Sequence, residues 1–122
     1  MSTVQILLLV LGALIALLLL GAGISKVSGQ PAMRESADHF SIAWSRYRLI
    51  GFAEVAAAIG IVVGIWVNGL GLAAGIAVVA LMLGAVGFHV RFRDGVKATV
   101  PALIALAVAG GFVTVQAVAI WG

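Results

Sequence analysis

The stretch that decides the fold runs from Tyr47 to Val90: YRLIGFAEVAAAIGIVVGIWV (47–67), the pair Asn68-Gly69, then LGLAAGIAVVALMLGAVGFHV (70–90). Each apolar run is close to the roughly 20 residues that a helix rising about 1.5 Å per residue needs to cross about 30 Å of hydrocarbon. A bilayer core offers no water to backbone N–H and C=O groups. Both runs are therefore predicted to be helical despite β-branched clusters such as Ile61-Val62-Val63. The two-residue link makes them antiparallel neighbours. Outward from this pair, Val4 to Ile24 and Thr99 to Trp121 have the same length and character.

The remaining composition agrees. The chain has 122 residues, 64% of them hydrophobic and 9% charged, with a mean hydropathy of +1.28. A water-soluble domain carries about 25% charged and about 45–50% apolar residues, so this chain cannot dress a water-facing exterior. The reading is an all-α polytopic membrane protein: a four-helix transmembrane bundle forming one domain over residues 1–122, with spans at 4–24, 47–67, 70–90 and 99–121. The first run reads as a retained span rather than a signal peptide, because Met1 to Thr3 hold no Lys or Arg and the run exceeds a usual signal core. The chain has no cysteine, which excludes disulfides, thiolate nucleophiles and iron–sulfur ligation by this chain.

Charge sets the expected orientation. Lys26, Arg34, Arg46 and Arg48 lie in or beside the connection between spans one and two, and Arg91, Arg93 and Lys97 in that between spans three and four; these are all 7 basic residues. The positive-inside rule then puts both connections in the cytoplasm and both termini outside, in a plasma-membrane protein. Trp44 and Tyr47 at one interface, with Trp66 and Trp121 at the other, form the matching aromatic belts. The basic pI near 10.2 is a topology signal, and no nucleic-acid partner is expected. Between spans one and two, Pro31 suits a first helical turn. Met33, Ala37, Phe40 and Trp44 then recur at helical spacing opposite Arg34, Glu35, Asp38 and His39, which predicts a short interfacial helix. Arg34 with Asp38, and Glu35 with His39, are spaced to pair along it, and His39 is expected to be solvated.

Helices in lipid associate through small residues and occasional hydrogen bonds. At spacings of four and three, span one offers Gly12, Ala16, Leu19, Gly23 and Lys26, and span two Tyr47, Gly51, Glu54, Ala58, Ile61 and Ile65. Span three offers Gly71, Gly75, Val78, Met82, Ala85 and His89, and span four Leu103, Ala107, Gly110, Thr114 and Ala117. Glu54 lies six positions past Arg48, about 9 Å deeper than the basic rim. A charge there costs about 2.5 kcal/mol or more, so it must face the interior and find a partner. Lys26 and His89 approach from the same side, with Arg48 and Tyr47 as further candidates. The cluster is either a polar clamp fixing the register of three helices or a ligand- and proton-binding site. Gln5 and Gln116 are expected to hydrogen-bond locally. No Asp, Glu and His set has metal-ligand spacing, no histidine pair suits a haem, and a quinone is the one candidate cofactor.

Gly23-Ile24-Ser25-Lys26-Val27-Ser28-Gly29 closing span one is similar to the Gly-x-x-Lys-Leu-x-Gly ending of the DoxX-like family, with Val27 in place of Leu. Arg48-Leu49-Ile50-Gly51-Phe52-Ala53-Glu54 opening span two, and His89 closing span three ahead of a short basic loop, extend the resemblance over the chain. The resemblance implies a four-span fold in a membrane. Family members include subunits linked to thiosulfate and quinone oxidation, members of oxidative-stress complexes, and distant relatives that assist membrane-protein assembly. Three roles follow as expectations. The first is an accessory or assembly subunit of a membrane-associated redox complex, with a membrane or soluble redox protein, or a second copy of the chain, as partner. The second is a quinone or small-molecule site handling protons through Lys26, Glu54 and His89. The third, a small proton-coupled exporter, ranks last because such pumps carry their carboxylate in the first span.

The orientation is directly testable. With single cysteines at Ser2 and Ser36, an impermeant thiol reagent on intact cells is expected to label position 2 and spare position 36; the reverse pattern would invert the topology.

Overall fold

The computed structural model describes all 122 residues as five helices with no strand: α1 Thr3–Ser28, α2 Pro31–His39, α3 Trp44–Gly64, α4 Asn68–Arg91 and α5 Gly95–Trp121. α1, α3, α4 and α5 are each long and apolar enough to cross a membrane. α2 is the short amphipathic helix expected between the first two.

Local chemistry sets the helix ends. Ser2 and Gln5 form a reciprocal capping box at the start of α1. Gly29 closes that helix at φ 73°, a left-handed conformation that glycine adopts without penalty. Pro31 opens α2 at a position where its missing N–H costs nothing. Two boundaries differ from the sequence reading. The link between α3 and α4 is Ile65 to Val67, not Asn68-Gly69, because Asn68 starts α4 with its side chain bonded to Gln116. α5 begins at Gly95, so Pro101 lies within it and has no N–H for the Lys97 carbonyl.

The four long helices form a ring in which α1 packs on α3 and α5, and α4 packs on α3 and α5, while neither diagonal pair meets. The α1/α3 and α4/α5 interfaces are the most extensive. Glycine sets how closely the backbones approach. A Cβ on Gly23 would stand 2.8 Å from the Gly51 carbonyl oxygen, and one on Gly51 2.5 Å from the Lys26 Cβ. At the far end of the bundle, a Cβ on Gly71 would stand 2.6 Å from the Gly64 carbonyl oxygen. Leu8, Ile15, Leu19, Ile61, Val78 and Phe112 fill the core between these contacts.

Gln116, fully buried, donates to the Gly64 carbonyl at 2.7 Å and accepts from Asn68 Nδ2 at 2.9 Å. It joins three helices and corrects the expectation of a local bond. Gln5 does bond locally, in the capping box. On α1 and α3 the expected seams are buried, apart from the half-buried Lys26 and Ile65. On α5 the expected face is wrong: Leu103, Ala107 and Thr114 point outward, while Ala105, Ala109, Phe112 and Gln116 are buried. The Thr114 hydroxyl donates to Gly110 O at 2.8 Å within its own helix, so it needs no interhelical partner. On α4 burial ends at Val78; from Val79 to Arg91 every residue is half-buried or exposed. The two helix pairs thus meet at the far end and part towards the basic end.

Gly71→Ala is expected to lower stability in detergent by about 1–3 kcal/mol, the usual range for overpacking. Gly84→Ala, where a Cβ meets nothing within 4 Å, is expected to be neutral. Thermal unfolding of both variants checks the contrast, and equal midpoints would contradict the close α3–α4 approach.

Candidate functional site

The site grows from the Gly23–Gly51 approach. With α1 and α3 this close, Lys26 one turn beyond Gly23 and Glu54 one turn beyond Gly51 face each other, and Nζ lies 2.8 Å from Oε1. Glu54 is 3% exposed. The ammonium meets Oε1 at a short distance, yet Oε1 has no well-directed hydrogen bond, so the contact is chiefly ionic. The Lys26 ammonium also lies 5.3 Å from the centre of the Tyr47 ring, which faces its positive charge. Removing either partner would strand the other charge in an apolar interior, a loss of about 3–5 kcal/mol.

Beside the pair, the parting of the helices leaves a cavity of about 890 Å³. Lys26, Tyr47, Glu54 and His89 provide its polar groups, and apolar side chains make most of the remaining wall. Met33, Phe40 and Ile42, from α2 and the segment after it, also line it. Ala53 of α3 and Ala77, Ala80 and Gly84 of α4 line the cavity and are exposed. Small residues therefore make part of the α3 and α4 walls of the cavity.

His89 lines this cavity but contacts neither Lys26 nor Glu54. Its Nδ1 lies 2.7 Å from Asp94 Oδ2, and Asp94 Oδ1 lies 2.6 Å from His39 Nε2. An ionised carboxylate only accepts, so both ring nitrogens donate to it. His39 is exposed, as expected, and it also bonds to Asp94. Neither expected pair along α2 forms, since Arg34 stacks over the Trp44 ring at 4.5 Å instead. Arg48 is outside the cavity; its Nε donates to Val27 O at 3.0 Å and its guanidinium lies over Phe52. Nothing in the sequence alone singles out Asp94. The turn that brings it back under His89 has Arg93 at φ 53° and Gly95 at φ 87°, and only the glycine hints at it in the sequence. Phe40 packs edge-on against His89, Phe88 and Phe92, with ring centres 5.4 to 5.5 Å apart, and docks the end of α2 on the end of α4.

The two histidines bond opposite oxygens of one carboxylate rather than converging on a point, and no three His, Cys, Asp or Glu side chains are placed to hold a metal ion. Hydrogen bonds from His89 first, and then from His39, hold the Asp94 carboxyl below its ordinary pKa. A carboxylate with a lowered folded-state pKa contributes stability above the ordinary carboxylate range, and loses it as pH falls through the lowered value. The Asp94 clasp is therefore expected to persist at neutral pH and fail in strong acid. At neutral pH, Asp94→Ala is expected to speed amide hydrogen exchange in α2 severalfold while the cores of α1 and α3 keep wild-type protection. Unchanged exchange in α2 would show that other contacts hold it.

The model of the DoxX-like family matches residues 10–112 of the chain. The protein YdgD of Bacillus subtilis (strain 168) is 34% identical over 95 residues, covering 77% of this chain and 83% of its own length. No solved structure matches the chain.

Proposed function

The chain belongs to the DoxX-like family, and we propose that it is an accessory membrane subunit whose cavity binds a lipid-soluble molecule with a polar head group, of the quinone class. The observation that carries this reading is the cavity of about 890 Å³ with an ion pair in an otherwise mainly apolar wall. Interiors that serve only to hold helices together are packed with few voids larger than a water molecule. Ligand sites span about 300–1,000 Å³, are largely apolar, and carry a few placed polar groups. Small residues on the α3 and α4 walls leave room for a ring, and the apolar wall suits a molecule that arrives from the bilayer. A quinone ring would rest on the Ala and Leu walls with a carbonyl oxygen towards Lys26 or Tyr47.

In this reading the basic end faces the cytoplasm across a plasma membrane, by the one-sided placement of all 7 Lys and Arg residues. Electron transfer to and from the quinone belongs to partner proteins of the complex, and this chain holds and presents the ligand. An exporter is less well supported, because every Lys, Arg, Asp and Glu lies toward the basic end of the bundle.

Binding of decylubiquinone to the full chain in lipid nanodiscs tests the proposal. Saturable binding is expected, with Ala80→Trp weakening it by about tenfold, some 1.4 kcal/mol, at unchanged thermal stability. Absence of saturable binding to the wild type, or equal binding by a well-folded Ala80→Trp variant, would overturn it.

A further inference from the structure

We infer that His89, held by Asp94, exchanges a proton with the cavity's ligand, so that the ligand's head group carries an ionisable O–H, as in a quinol or phenol. This rests on the cavity reading above and adds to it a chemistry and a second residue. With Nδ1 committed as a donor to Asp94 at 2.7 Å, the neutral ring has its acceptor at Nε2. That nitrogen has no protein partner, and His89 is one of the residues that line the cavity. A base oriented by a carboxylate on its other nitrogen is the recurring arrangement of proton-transfer sites.

The transfer balances without a co-reactant. The head-group O–H bond breaks, an N–H bond forms at Nε2, and the electron pair remains on oxygen as an oxyanion. The resulting imidazolium keeps its Nδ1–H on Asp94, whose negative charge offsets it. His89 also lies in the last turn of α4, where the helix end favours a cation. The Lys26 ammonium, on another wall of the same cavity, favours the oxyanion. Other charged groups toward this end are Arg91 at the end of α4, Arg93 in the turn after it, Lys97 on α5, and Glu35 and Asp38 on α2; all are exposed and none forms an ion pair. Glu54 is held by Lys26. His39 shares Asp94 but does not line the cavity. Asp94 is thus a positioning residue, and His89 the group that meets the ligand.

An alkyl-substituted 4-nitrophenol, whose phenolate absorbs visible light, reports the transfer when titrated against the full chain in nanodiscs. Wild-type protein is expected to raise the bound probe's ionisation constant about tenfold over probe in empty nanodiscs, a shift of about one pKa unit. His89→Gln is expected to abolish most of that shift while the probe still binds, Asp94→Asn to remove a large part of it, and His39→Gln to leave it in place. The methyl ether of the probe, which has no proton to give, is expected to bind wild-type protein severalfold more weakly and without pH dependence. A His89→Gln titration equal to wild type, or ether and phenol binding alike at every pH, would overturn the inference and leave the cavity reading standing. Failure of both probes to bind wild-type protein would overturn both.

Discussion

A carboxylate inside a bilayer helix has to be met by a positive group, and in this protein that demand fixes the arrangement of the first two spans. Glu54 is met by Lys26 at 2.8 Å only because glycines at 23 and 51 let α1 and α3 close to near backbone contact. Lipid supplies no hydrophobic drive between helices, so glycine packing and the ion pair act together: one sets the distance, the other the register. The pair stands at the basic end, where Lys26 also faces the Tyr47 ring, and it becomes the polar wall of the cavity.

The two ends of the bundle are built on opposite principles. At the far end, Gly64 and Gly71 bring α3 and α4 together, and Gln116 bonds across them. A buried amide in hydrocarbon has few alternative partners, so these bonds close that end. At the basic end the α1/α3 and α4/α5 pairs part, and burial on α4 ends at Val78. α2 covers the gap through Phe40 and the His39–Asp94–His89 bridge rather than through a continuous core. Close glycine packing thus marks one end, and a clasped helix beside the cavity marks the other.

Much of this is legible in the sequence because membrane constraints are severe. The four spans, the interfacial helix, and the buried faces of α1 and α3 follow from length, charge placement and the requirement that Glu54 find a cation. The rest is hidden for specific reasons. Small residues recur all around α5 and mark no unique face, and Thr114 is satisfied within its own helix. Gln116 bonds residues 52 and 48 positions away, and no local pattern announces that. Asp94 is brought under His89 by positive φ at Arg93, a conformation that an arginine does not advertise. His39 is exposed, as its sequence position suggests, but its bond to Asp94 spans 55 residues and has no local signal.

We propose that the Lys26–Glu54 pair serves a ligand as well as the fold. Replacing it with Lys26→Met and Glu54→Leu together removes both charges while keeping side-chain volume, a change that buried ion pairs often tolerate without loss of stability. The decisive measurement is retention of decylubiquinone by this double variant through purification, alongside its thermal unfolding. A well-folded protein that no longer retains the quinone is the predicted result, and a well-folded protein that retains it like wild type would contradict the account.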